Sequence, residues 1–140
     1  MKTLVLILIT IFPTTIFASE DYLVAHLASY HPDIRTYNEV NTGMAYRHYE
    51  DRNFLSIGEY KNSLSKQSFY MGGGIDILKS NYLTLSITGG LITGYKIDIA
   101  PFLIPELSVN YKGVKIIVNY VPKIDNIVEA ALGFSMALKF

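Results

Sequence analysis

The dominant signal along the chain is alternation. In Gln67–Leu78, Phe69, Met71, Ile75 and Ile77 share one face, and Ser68, Tyr70, Gly72, Gly74 and Asp76 share the other. Tyr82–Gly94 sets Leu83, Leu85 and Ile87 against Thr84, Ser86 and Thr88. Pro101–Tyr111 sets Leu103, Leu107 and Val109 against Glu106, Ser108 and Asn110. A period of two marks a strand with unlike faces. Segments of strand character are Tyr22–Tyr30, Asn41–Tyr49, Phe54–Lys61, Gln67–Leu78, Tyr82–Gly94, Pro101–Tyr111, Val114–Val121 and Ala130–Phe140. Most are close to the roughly 9–11 residues with which a tilted strand crosses a bilayer.

Alternation alone does not say which face meets solvent. A soluble sandwich turns its apolar face inward, and a membrane barrel turns it outward. Three features select the barrel. The strand count is even, the last residue is Phe140, and tyrosines (Tyr22, Tyr30, Tyr49, Tyr82, Tyr111, Tyr120) sit at many strand ends. Aromatic residues at those places form the interfacial girdles of membrane barrels. Connections after the second, fourth and sixth segments are short, and the others are mostly longer. Bacterial barrels place short turns in the periplasm and long loops outside. The sequence therefore predicts an all-β, eight-stranded antiparallel up-and-down transmembrane β-barrel of the cell outer membrane. A barrel this narrow is filled by side chains or holds one small ligand, so a porin is not expected.

Composition narrows the picture. Half of the 140 residues are hydrophobic, yet no apolar run beyond the first eighteen is long enough for a spanning helix. Residues 1–18 join Lys2, an apolar run and Ala18, the layout of a secretory signal peptide, leaving 19–140 as the barrel domain. Twelve basic and twelve acidic residues cancel, and no basic cluster points to nucleic acid. The chain has no cysteine, which removes disulfides and thiolate metal sites. Asp33, Glu39, Asp51, Asp76, Asp98 and Asp125 lie on different segments without metal-ligand spacing. No metal or cofactor is expected, and the barrel is expected to be a monomer. Glu59 and Glu106 fall within strands and are expected to pair with lysine or arginine inside the barrel, since a charge facing lipid is costly.

Gly72, Gly73 and Gly74 are adjacent in the fourth segment. They ease curvature and close strand contact, or they leave a cavity where side chains are missing. From Tyr37 to Phe140 an ordered series of short motifs resembles the lipid A palmitoyltransferase family of Gram-negative outer membranes (PagP). The series comprises Tyr37-Asn38-Glu39, Lys61-Asn62-Ser63 where the family has Lys-Asp-Ser, Gly72 and Gly74, PFLIPELSVNY, NYVP and the closing Phe140. The resemblance implies a barrel whose outer half takes one acyl chain of a membrane phospholipid from the side and passes it to lipid A. It implies that Pro105 and Pro122 flank the opening, because proline lacks the N–H of a strand ladder. It also implies that Gly74 is the floor of the acyl-chain site, so that Gly74→Met shortens the accepted chain.

The family's catalytic set is a histidine near the end of the first strand and the Asp-Ser of the second outer loop. Ser63 matches the serine, and Asn62 replaces the aspartate. Asn cannot take a proton, and in a Ser-His-Asp triad the Asp→Asn change lowers kcat about 10⁴-fold. Two histidines compete for the base. His26 shares the inward face of its strand, and His31 lies nearer Ser63 at the outer rim. The family's amphipathic helix before the first strand has no counterpart between Ala18 and the first strand-like residues. Two further functions therefore stand beside the acyltransferase. One is a non-enzymatic barrel that binds lipid or changes what docks on the cell surface. The other is a lipid A-modifying hydrolase.

Overall fold

The computed structural model describes residues 18–33, 35–126 and 128–140. The segment read as a signal peptide falls, except for Ala18, outside the described residues. Eight strands follow in order: β1 (Ser19–Tyr30), β2 (Val40–Glu50), β3 (Asn53–Lys61), β4 (Gln67–Lys79), β5 (Leu83–Thr93), β6 (Ile99–Tyr111), β7 (Val114–Val121) and β8 (Ala131–Lys139). Each pairs antiparallel with the next, and β1 pairs with β8 to close a barrel. β1 starts three residues before the predicted Tyr22, because the ladder to β2 continues through polar residues to Ser19↔Glu50. Apolar alternation cannot reveal a polar strand end.

Parity along the strands decides what faces where. In β4, Ser68 and Asp76 are buried, while Met71 is 65% exposed on the outer wall. In β1, Val24 is 1% exposed inside, and Leu23 and Leu27 lie outside. The lumen holds Arg47, Glu106, Lys115 and a set of serines and threonines, and the outer wall carries the large apolar side chains. This is the inverse of a water-soluble barrel, and it suits a wall in contact with lipid.

The two ends differ. Connections 31–39, 62–66, 94–98 and 122–130 lie at one end, and the tight turns 51–52, 80–82 and 112–113 lie at the other. Lys112 and Gly113 both have positive φ (47° and 83°). That is the pattern of a two-residue type I′ hairpin, which glycine at the second position suits.

The lumen near the short turns is packed solid. Lys115 Nζ lies 4.3 Å from the Tyr22 ring centroid and 4.1 Å from that of Tyr49. Tyr49 packs on Phe54 with centroids 4.9 Å apart, and the Arg47 guanidinium sits 4.3 Å over the Phe54 ring. Ser86 Oγ donates to Asp76 Oδ1 at 2.8 Å. Asp76 is thus a lumen residue, as its parity in β4 requires. Midway up the barrel Arg47 Nη2 donates to both oxygens of Glu106, at 3.0 and 3.1 Å, and the Thr88 hydroxyl donates to Glu106 as well. Glu106 pairs inside the barrel as the sequence suggests. Glu59 does not: it occupies an outward position of β3, near the long-loop end, where Gln67 Nε2 donates to it at 3.2 Å.

Candidate functional site

The site begins with an interrupted ladder. β5 and β6 pair without a break from Leu83↔Val109 to Thr93↔Ile99. β6 and β7 pair only from Tyr111↔Val114 to Glu106↔Asn119. Residues Ile99 to Pro105 of β6 therefore have no partner in β7, although β7 continues to Val121 along β8. Continuing the register would set Pro105 opposite Tyr120 and Leu103 opposite Pro122. The ladder to β5 runs unbroken through Pro101 and Pro105, so their nitrogens face the other edge, where β7 would bond. Each proline removes a donor from that edge, which leaves fewer unpaired groups in a seam that β7 does not close.

Behind the seam lies a cavity of about 180 Å³ in the long-loop half of the lumen. Phe102 and Ile104 line it from the inward side of β6. Pro101 and Leu103, which are exposed on the outer wall, line it too. The cavity thus reaches the seam. The opposite wall is polar and comes from β1 and β2, with His26, Ser29, Asn41 and Arg47. Arg47, Glu106 and Thr88 lie at the inner end, so an ion pair forms the floor. The 122–130 connection covers the outer end through Pro122, Ile124, Val128 and Glu129. It is pinned by an Ile124↔Val128 bridge and a Lys123–Glu129 ion pair of 3.1 Å.

His31 and Ser63 face the same space at the rim. Both line the main cavity and a smaller recess shared with Tyr37, Leu64, Tyr95 and Glu129. His31 is buried, stands edge-on to the Tyr37 ring at 5.1 Å, and donates its backbone N–H to Glu39 Oε1 at 3.3 Å. Its Nδ1 has no hydrogen-bond partner among the described residues. Burial pushes the imidazole pKa below its ordinary value, and the Glu39 carboxylate opposes this in part. Burial thus favours the neutral ring, the state in which it can accept a proton.

The other expected site residues go elsewhere. His26 lies deeper, level with Gly43 of β2 and through it with Tyr60 of β3. Its Nδ1 lies 3.0 Å from Ser135 Oγ and its Nε2 3.0 Å from Tyr70 Oη. It belongs to the lumen network and not to the rim. Asn62 is fully buried and builds the loop that carries Ser63. Its Nδ2 donates to Ser68 Oγ at 2.9 Å and to the Gly94 carbonyl at 2.7 Å. Its Oδ1 accepts from the N–H groups of Leu64 and Lys66. A carboxylate could not make those two donations, so asparagine here is a requirement of the loop.

Gly72 and Gly74 do not line the cavity. A Cβ on Gly74 would fall 2.7 Å from Phe54 Cε1, and one on Gly72 would fall 3.1 Å from Phe102 Cζ. Gly74 leaves room for the Phe54 ring, whereas a Cβ on Gly72 would first strike the Gly89 carbonyl of β5. The expectation that Gly74 is the cavity floor is corrected: Phe54 occupies that space, and the floor is Arg47–Glu106. Pro105 lies beside the seam, and Pro122 lies at its outer end, lining the cavity. Ser29, Asn41, Tyr60, Tyr95 and Glu129 also line the cavity and were not singled out from sequence. For Asn41, inward parity in β2 was the available signal.

No protein-family model matches the chain, and no curated protein matches it. Solved structures do. A de novo designed transmembrane β-barrel is 17% identical, with a TM-score of 0.60 over 87% of this chain and 94% of its own. The designed barrel TMB2.3 is 14% identical, with a TM-score of 0.63 over 89% of this chain and 94% of its own. The Yersinia pestis outer membrane protein Ail is 11% identical, with a TM-score of 0.56 over 88% of this chain and all of its own. At these identities the likeness is one of fold: the chain is a closed, eight-stranded, all-antiparallel β-barrel of the transmembrane type.

Proposed function

We propose that this is an outer-membrane barrel that draws one lipid acyl chain sideways through the β6–β7 seam and transfers it at the His31–Ser63 rim. The observation that carries the reading is the unpaired run Ile99 to Pro105, with a cavity behind it that exposed and lumenal residues of β6 line together. Palmitoyl transfer from phospholipid to lipid A is the reaction that the sequence resemblance adds. In that reaction Ser63 Oγ attacks the ester carbonyl while His31 takes its proton. An acyl–Ser63 ester forms, and the lysophospholipid leaves with the proton. A lipid A hydroxyl then attacks the ester, His31 accepts its proton, and Ser63 Oγ is released protonated. The wall of Phe102, Ile104 and Val121 excludes water from the chain.

A second reading, a barrel that binds lipid without chemistry, is favoured by one observation. Asn62 is committed to its loop, so no carboxylate occupies the family's position beside Ser63. Mass spectrometry of lipid A from cells with and without the chain separates the readings. One added palmitoyl group supports the transferase. A lost acyl chain points to a hydrolase acting at the same rim. Unchanged lipid A and phospholipid, with the barrel correctly inserted, leave the binding reading.

A further inference from the structure

The two walls of the cavity are chemically unlike, and this bears on what kind of chain it takes. The seam side (Ala100, Phe102, Ile104, Val121, Phe134) suits any alkyl chain. The β1–β2 side carries buried polar atoms that have no partner among the described residues: Ser29 Oγ, His31 Nδ1 and Asn41 Oδ1 in the outer part, and the donor Arg47 Nε at the floor. The amide orientation of Asn41 is fixed, because its Nδ2 donates to the carbonyls of Lys61 at 2.9 Å and Asn38 at 3.4 Å. The free atom is therefore the oxygen, which only accepts hydrogen bonds. Asn41 and His31 are both 5% exposed, so a plain alkyl chain against them would leave polar atoms buried and unpaired. Ester and phosphodiester groups offer acceptors only and cannot satisfy Asn41 either.

Position along the barrel narrows the partner further. Asn41 stands two residues outward of Gly43, which pairs with His26, and so lies between the deep network and the Ser63 rim. A group that meets Asn41 lies a few bonds down the chain from the carbonyl held at the rim. We infer that the acyl chain taken into the cavity carries a hydroxyl near its carboxyl end, which donates to Asn41 Oδ1 and exchanges a hydrogen bond with Ser29 Oγ. Asn41 and Ser29 are then specificity-determining residues. This inference rests on the uptake of a chain through the seam, as proposed above, and it replaces palmitoyl, which has no hydroxyl, with a hydroxylated chain in the same cavity.

The test compares tetradecanoic acid with 3-hydroxytetradecanoic acid on the full barrel in vesicles, titrated by calorimetry. The hydroxylated acid should bind roughly three- to tenfold more tightly, the worth of one net hydrogen bond. Asn41→Leu should abolish that preference, because it removes the acceptor that only the hydroxylated acid can use. Ser29→Ala should reduce the preference and keeps every backbone contact of Asn41, so it serves if Asn41→Leu fails to fold. Equal affinity of both acids would overturn the hydroxyl assignment and leave chain uptake intact. Binding of neither acid would overturn the uptake reading itself. A preference for an alkyl glucoside of equal chain length over the hydroxylated acid would overturn the assignment by placing the hydroxyl on a headgroup.

Discussion

The two halves of this barrel have the same wall and opposite interiors. Toward the short turns the lumen is filled by Tyr22, Tyr49, Phe54 and Lys115, and the β6–β7 ladder is intact. Toward the long loops the lumen is hollow, and the same ladder is open from Ile99 to Pro105. A closed barrel hides every strand edge, which accounts for the first half. The second gives up a seven-residue run of pairing between β6 and β7, where two prolines have removed donors from that edge. The contrast teaches that stability and function are divided along the barrel axis, with the Arg47–Glu106 pair at the boundary.

The division can be broken from either side. The largest effects should come from the rim. Ser63→Ala or His31→Gln should lower transfer by about 10²–10⁴-fold, the scale of a lost acid–base partner. The unfolding midpoint should stay in place, because both residues lie in connections. Measuring acyl incorporation into lipid A beside urea unfolding in vesicles tests this. Loss of both activity and fold would place these residues in the structural half.

At the boundary, Glu106→Ala leaves the Arg47 guanidinium buried without its partner. Such a change costs about 3–5 kcal/mol. The same urea titration should show that loss. An unchanged midpoint would mean that the pair only floors the cavity and does not hold the packed half.

A subtler separation uses pH. Burial favours neutral His31, so the acid limb of transfer should have its midpoint below the ordinary imidazole value of 6.5. The stability that comes from neutral His31 is present above that value and is lost as pH falls through the lower folded pKa. A rate profile with its acid limb above 6.5 would assign the base elsewhere.

How much of this is legible in the sequence depends on the range of the interaction. The strands, their number and their facing follow from local alternation, and each boundary lies within three residues of its expected place. The inward position of His26 and the pairing of Glu106 with a basic residue of the lumen also follow from parity, whereas which basic residue it is, and the outward place of Glu59, do not. The site was less legible, because it depends on which connections fold over one another. Asn62 reads as a damaged catalytic aspartate when aligned by motif, but four hydrogen bonds make it the keystone of its loop. Gly74 reads as empty space, but Phe54, twenty residues earlier and paired with it across β3–β4, fills that space. Asn41 carries no motif at all, and only the two carbonyls that hold its amide nitrogen show that its oxygen is free.

The central claim is that the hollow half is reached from the side, through the seam. Cysteines at positions 105 and 120, which a continued ladder would pair, test it directly. Vesicles are loaded with a phospholipid that bears a photoreactive acyl chain, and cross-links to the lumenal residues Phe102 and Ile104 are counted before and after oxidation of the cysteine pair. Cross-links that are present in the reduced barrel, vanish on oxidation and return on reduction are the predicted result. Equal cross-linking with the seam sealed would contradict the account.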